Sequence, residues 1–332
     1  MSLQDRDPTD TTSGAASTEF WRRTPPALFP TMMGLLGLGL AWRAAAGFDA
    51  VPIPMSVSYY ILGFSGVLFL FILACYLSKL SIRPSVIMQD LASVPGRAGV
   101  SAMSLSTLLF AVAMVPFSPL VASAALFLGL FAHTLIALLI VVVMARTEKG
   151  FVVSPAWHLS FVGFIVSCLS AAPLGYLGLT QIILGATVLI AALIYAVSLL
   201  QLNNSEMPPP LRPMLAIHLA PLSLFATVSV LAGQGVVALL FGALAVGLAA
   251  VLLSRVRYII AAGFSPLWGA FTFPVAALSV ALFSLSSQVS VFGWLAFVPL
   301  GLASIITPLI SLRVLRMWST GALAQKTGAG TA

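Results

Sequence analysis

Acidic residues and lysine are absent from the long apolar stretches of this chain. Charged side chains of every kind make up 7% of its 332 residues, and the mean hydropathy is +1.11. Soluble domains carry about a quarter of their residues charged, so a soluble core could not hide this much apolar surface. Intramembrane carboxylates and lysines are the usual marks of proton relays and ion-coupled carriers. A pump or a carboxylate-driven antiporter therefore lacks its expected parts, whereas a passive conduit does not need them. Cysteine is scarce as well. Cys75 and Cys168 both fall in apolar stretches and form no CxxC pair, which suggests neither a disulfide framework nor a thiolate metal site. No HExxH motif appears, and no phosphate-binding glycine loop stands between a strand and a helix.

What the chain has is apolar length. A hydrocarbon core about 30 Å thick takes about 20 apolar residues of helix to cross. Inside it the backbone can satisfy its own polar groups only as helix. Ten such spans are expected near residues 27–46, 57–77, 98–115, 120–144, 155–175, 179–200, 213–232, 234–253, 263–284 and 290–312. The connections are short, so the spans read as one all-α integral membrane domain over residues 25–316. A polar N-terminal tail (1–24) without the apolar core of a signal peptide precedes it, and a C-terminal tail (317–332) follows; both are expected to be disordered and cytoplasmic.

The net charge of +7 points to membrane orientation and not to nucleic acid, because Lys and Arg gather in alternate connections. Arg22 and Arg23 precede the first span. Lys79, Arg83 and Arg97 are assigned to the second connection, Arg146 and Lys149 to the fourth, Arg212 to the sixth, Arg255 and Arg257 to the eighth. Arg313, Arg316 and Lys326 follow the tenth span. The opposite turns carry no basic residue, and Arg43 is the one exception on that side. Both termini are therefore expected on the cytoplasmic side. Asp49, Asp90, Glu148 and Glu206 are assigned to connections. The sequon Asn203-Asn204-Ser205 falls on the cytoplasmic side, where it carries no glycan.

Ten spans with short turns on the far side read as five helical hairpins. Prolines are unevenly placed. Pro30, Pro155, Pro173, Pro213, Pro221, Pro266 and Pro274 fall in odd spans, whereas the even spans have only Pro299 and Pro308, in the tenth. A proline inside a helix deletes a hydrogen bond, and in a membrane it survives where neighbours or pore water meet the freed carbonyl. Odd helices kinked at Pro30, Pro173, Pro221 and Pro274, lining a central path with smoother even helices outside, are the functional expectation; prolines are also simply common in membrane helices. Gly34, Gly37 and Gly39 in the first span, and Gly242 and Gly247 in the eighth, would let helix backbones approach closely.

His133, His158 and His218 all lie in apolar spans. Histidine titrates near neutral pH and can transfer protons, and two facing imidazoles can ligate a haem. The plain alternative for each is a neutral ring bonded to a nearby carbonyl or hydroxyl. For His158, which follows Trp157, an interfacial position is expected. Among 21 phenylalanines, the cluster Trp268, Phe271, Phe273 beside Pro274 stands out, because a bulky ring at a proline kink can plug a narrow path and a hydrophobic constriction can close a pore by excluding water.

Several stretches resemble one family. Phe29-Pro30-Thr31 followed by Gly34, Gly37, Leu38, Gly39, Leu40, Ala41 and Trp42 is similar to the first helix of the tellurite-resistance and dicarboxylate transporter family, to which the plant guard-cell slow anion channel belongs. Leu211-Arg212-Pro213 with Ala216, Ile217, Ala220 and Pro221 resembles its seventh helix. Phe264-Ser265-Pro266-Leu267-Trp268 running into Phe271-Thr272-Phe273-Pro274 resembles its ninth. The resemblance covers about residues 24–316. It implies five helical hairpins around a quasi-fivefold axis with odd helices inside, and a homotrimer in which every subunit has its own pore. It also implies a phenylalanine of the ninth helix blocking that pore, a role that falls to Phe273 by its place beside the proline, with Phe271 as the rival.

The function this implies is a bacterial inner-membrane channel or exporter for small anions such as chloride, nitrate, tellurite or dicarboxylates, without enzymatic activity or cofactor. Basic residues at one mouth and Arg43 at the other would concentrate anions. The alternative is a proton-coupled carrier of a C4-dicarboxylate or of an oxyanion such as sulfite or tellurite, using His133 or His218. A haem-carrying electron-transfer subunit is the third reading, from a different class.

Overall fold

The computed structural model describes residues 20–146, 153–204 and 206–330, and among these it is helical with no strand. Short 3-10 turns at Phe20–Arg23 and Pro26–Leu28 lead into α1 (Phe29–Ala46). α2 (Met55–Ile82), the short α3 (Val86–Ala92), α4 (Val94–Met114) and α5 (Pro119–Ala145) follow. Proline begins several of these helices, where its missing N–H costs nothing: Pro95 stands in the first turn of α4 and Pro119 in that of α5. Ser93 and Ser118 cap the same two helices, their hydroxyls accepting from the N–H groups of Gly96 at 3.0 Å and Val121 at 3.3 Å.

The next apolar segment is irregular. A π-helical turn, His158–Val162, passes into a 3-10 stretch, Gly163–Ser167, and then into a single turn, α6 (Cys168–Ala171). Hydroxyls pair across and within the segment: Ser160 meets Ser101 of α4 at 2.9 Å, and Ser167 and Ser170 donate to the carbonyls of Phe164 and Ser167. The turn after α6 reverses at Gly175 with φ +90°, a conformation glycine adopts freely.

α7 (Leu177–Asn204) leads to a 3-10 helix, Pro209–His218, continuous with α8 (Leu219–Leu231). α9 (Gly235–Ser254) and the single turn α10 (Val256–Ile259) follow. A 3-10 turn, Pro266–Trp268, opens α11 (Gly269–Leu285), and α12 (Val291–Leu295), α13 (Phe297–Ser319) and α14 (Ala322–Thr327) complete the described chain.

Nine of these helices are long and apolar enough to cross a bilayer, among the described residues. The expected fifth span is the tenth apolar segment, but its π and 3-10 turns break it into short pieces, so it does not appear as a long helix.

Packing sorts the segments into two sets. α1 packs on α4, α4 on the irregular segment 158–171, that segment on α8, α8 on α11, and α11 back on α1. Each member of this closed cycle also packs on the long helix that follows it in the chain: α2, α5, α7, α9 and α13 respectively. Each of those touches the next member too, with α13 returning to α1. The cycle helices α1, α4, α8 and α11 are largely buried, whereas α2, α5, α7, α9 and α13 are mostly exposed. Their exposed faces are apolar, with Phe64, Leu128, Leu193, Val236 and Ile305 turned outward, a surface that matches lipid and not water.

Glycines set the closest approaches. A Cβ on Gly34 would collide with Thr272 of α11, and one on Gly39 would stand 2.6 Å from Leu62 Cδ2 of α2. Thr272 bridges α11 and α1 as well, donating to the Gly269 carbonyl at 2.7 Å and reaching the Pro30 carbonyl at 3.3 Å. Gly242 meets Leu285 in the same way, but Gly247 faces open space and mediates no helix contact.

Several expectations need correction. Lys79 lies in the last turn of α2 and Arg97 in the first turns of α4, Asp90 is in α3, and Arg313 and Arg316 lie within α13. The side chains of Lys79 and Asp90 are fully buried and pair at 3.3 Å; apolar windows end at such residues, and that hid the length of the helix. Residues 320–330 are not a bare tail: α14 (Ala322–Thr327) buries Leu323 completely. Pro173 bends no helix, because it sits in the turn after α6, and Pro30 occupies the first turn of α1. Pro221 lies where the 3-10 helix passes into α8, and Pro274 alone of the four is interior to an α-helix. Glu148, Lys149, Ser205 and most of the N-terminal tail lie outside the described residues.

Candidate functional site

The five segments of the packing cycle enclose two cavities. The larger, about 290 Å3, is lined by the N-terminal parts of the cycle segments: Pro30 and Met33 of α1, Ala98 and Ala102 of α4, Leu159, Met214 and Ile217, Gly269 and Ala270 of α11. The second, about 190 Å3, is lined by their C-terminal parts: Leu40 and Arg43 of α1, Leu109 and Val112 of α4, Leu169 of α6, Leu224 and Thr227 of α8, Ala277 and Val280 of α11. A gap of about 20 Å3 lies beside them, walled by His158, Val162, Pro221 and Leu224. Among the described residues, no residue of α2, α5, α7, α9 or α13 lines any of the three.

Phe273 belongs to the wall of all three spaces. Its side chain is 5% exposed. Pro274 follows it inside α11 and removes the N–H that would have bonded the Ala270 carbonyl. Gly37 of α1 lies against the ring and leaves the space it fills. Phe271 points elsewhere. It packs edge-on against Trp268 with centroids 5.6 Å apart, Trp268 packs on Phe264, and none of the three cavities includes Phe271 in its wall.

The walls are almost without charge. Arg43 is the charged residue of the second cavity. Its guanidinium donates to the carbonyls of Val112 at 2.9 Å and Ala113 at 3.0 Å, near the C-terminal end of α4. Those carbonyls orient the group and satisfy two donors, but they carry no neutralising charge.

The histidines fall into two separate sites. His133 of α5 pairs through Nδ1 with Ser104 of α4 at 2.8 Å and stacks edge-on with Phe164, centroids 4.5 Å apart. It lines none of the three cavities. His158 and His218 meet each other, Nε2 to Nδ1 at 2.9 Å, and the Tyr195 hydroxyl of α7 donates to the His218 carbonyl. His158 is buried in the protein: it is 3% exposed, it borders the small gap beside Phe273, and its Nδ1 has no hydrogen-bond partner. The pairing of residues 60 positions apart left no trace in the sequence. The nitrogens are in direct hydrogen-bond contact, whereas two metal–imidazole bonds in line need about 4 Å, so this geometry does not fit an axial haem. No group of three or more His, Cys, Asp or Glu suited to a metal exists among the described residues.

The arrangement can guide a small solute between two chambers past one aromatic ring, in walls that offer an anion weak contacts and an arginine. Compared with known families, residues 23–315 match the model described as voltage-dependent anion channel. No curated protein matches the chain.

Proposed function

Because the chain belongs to the voltage-dependent anion channel family over residues 23–315, the family it resembles in sequence, we propose that it conducts small anions through the space enclosed by its five inner segments. This is transport and not catalysis. The ten apolar segments act as five helical hairpins around a central pore, odd segments inside and even segments against lipid. Phe273 is the gate: its ring stands between the two chambers and swings aside to join them. Arg43 at one end draws anions in, and the uncharged middle releases them.

One observation carries the reading. Both cavities draw their walls from all five inner segments, and one aromatic side chain is common to both. Such a ring makes a dry constriction, which a hydrated ion crosses only when the ring moves. Chloride, nitrate, tellurite and dicarboxylates are the ligand classes, in an inner membrane with both termini cytoplasmic and in a homotrimer with one pore per subunit.

The test is a reversal-potential series on purified protein in a planar bilayer. Currents should reverse at the equilibrium potential of the permeant anion and shift when one anion replaces another. A reversal that follows the cation gradient, or a silent protein in every anion, rejects the proposal.

A second reading has one observation in its favour. The hydrogen-bonded His158–His218 pair borders the space beside Phe273 and can hold a proton there, as a proton-coupled carrier of a C4-dicarboxylate or oxyanion requires. That reading demands uptake driven by a pH gradient.

A further inference from the structure

One charged side chain in the wall of the larger cavity comes from outside the membrane-spanning segments. Lys326 and Thr327 of α14 line that cavity together with Ala27, Pro95, Pro210 and Pro266. Lys326 is the charged residue in this wall, as Arg43 is in the other. It is exposed, and no carboxylate pairs with it among the described residues.

The segment that carries Lys326 is held at both ends. Gly321, at φ +76°, turns the chain back after α13, and Leu323 is fully buried in the main core. At the other end the backbone of Gly330 is gripped twice: its N–H donates to Asp90 Oδ1 at 3.0 Å, and its carbonyl accepts from Lys79 Nζ at 3.0 Å. Lys79 also donates to the Thr24 carbonyl at 2.9 Å and to Asp90 Oδ2 at 3.3 Å, and the Tyr76 hydroxyl donates to Asp90 Oδ2 at 2.9 Å. Lys79 thus uses all three of its donors. Without Gly330, a buried ammonium and a buried carboxylate would each lose a partner, a loss that buried charges tolerate poorly. The grip also selects glycine, since a Cβ at position 330 would stand 2.8 Å from both Val86 Cγ1 and Gln89 Oε1.

We propose that residues 320–330 form a lip of the larger cavity, clamped by the Lys79–Asp90 pair on the backbone of Gly330, and that Lys326 on this lip is an anion-contacting residue of that mouth. The proposal rests on the anion-channel reading above. The buried ion pair then has a task outside the pore: it fixes the charged residue of this cavity's wall, which an entering anion meets at this end. An anion leaving bulk water for a wall of prolines and alanines gives up hydration, and the Lys326 ammonium replaces part of it.

Two measurements on the full chain test the two halves. Chloride efflux from proteoliposomes should fall on the order of fivefold in Lys326→Glu at low ionic strength, with the deficit shrinking as salt screens the charge. Lys326→Arg should keep the parent flux. An unchanged flux in Lys326→Glu overturns the contact role. The clamp is read without transport, by a nitroxide attached to Lys326→Cys. Its motion should be restricted in the otherwise native chain and become freer when Gly330→Val is added; an equally restricted label overturns the clamp. A parent protein that moves no anion sinks the channel reading, and the label experiment still decides the clamp.

Discussion

The ring of Phe273 rests on the bare backbone of Gly37: a Cβ at position 37 would stand 2.8 Å from Phe273 Cδ2 and 3.3 Å from Cε2. The ring keeps its place because α1 presents hydrogen and not carbon at that point. Gly37→Ala should therefore displace the ring, at a cost of about 1–3 kcal/mol typical of overpacking, and raise anion flux. Thermal unfolding in detergent measures the first effect and chloride efflux the second. A variant with parent stability and parent flux would show that the ring does not depend on Gly37.

Phe273→Ala should raise anion current in bilayer recordings, by roughly 10-fold or more if the ring is worth a barrier of about 1.4 kcal/mol. Phe271→Ala serves as the internal comparison, because its ring packs on Trp268 away from the cavities. It should leave the current near that of the parent. Reversed outcomes would move the gate from Phe273 to Phe271.

Arg43→Gln removes the charge of the second cavity and the paired donors to Val112 and Ala113. Anion flux should drop, and stability should fall by about 1.5–3 kcal/mol, the range for hydrogen bonds from a charged group. Arg43→Lys, which keeps the charge and loses the fork, should restore flux better than stability. Equal flux in all three proteins would remove Arg43 from the path.

Breaking the buried ion pair should be costly. Lys79→Met leaves the Asp90 carboxylate buried without its ammonium and should destabilise by about 3–5 kcal/mol, with the combined Lys79→Met and Asp90→Leu protein recovering part of the loss. Denaturation midpoints of the three proteins supply the comparison. A double variant weaker than either single one would contradict the account of the pair.

The histidines separate channel from carrier. In a channel, His218→Asn and His133→Asn should leave anion permeation independent of any pH gradient, as in the parent. If gradient-driven uptake exists and disappears in His218→Asn, the coupled-carrier reading replaces the channel.

Sequence carried the membrane class and nearly all the apolar segments, because these rest on a local feature, apolar length; it also singled out Phe273 beside Pro274, which borders the cavities. What it concealed is long-range. The fifth apolar segment reads as one helix by hydropathy, yet it breaks into π and 3-10 turns where Gly163 packs close against Leu105 and His133, a long-range contact that hydropathy does not carry. Lys79 looked like loop because a lysine ends an apolar window; acceptors at Asp90 and, far off in sequence, at Thr24 and Gly330 allow it to continue the helix. The tail around Gly330 has the small, polar composition of a disordered segment, and its order comes from the charges that grip its backbone. That Phe273 and not Phe271 borders the cavities depends on the direction in which each ring points, which residue spacing alone did not give.

The uneven burial of the two helix sets bears on how the chain is made. The inner helices α1, α4, α8 and α11 are each less apolar than the outer helix that follows, and most of their surface is covered by protein. Leaving the insertion machinery alone, such a helix would expose serines, threonines and close-packed glycines to acyl chains. Its outer partner emerges next in synthesis and is greasy enough to hold both. Insertion two helices at a time would keep those faces off the acyl chains, and a halt between the members of a pair would leave them bare.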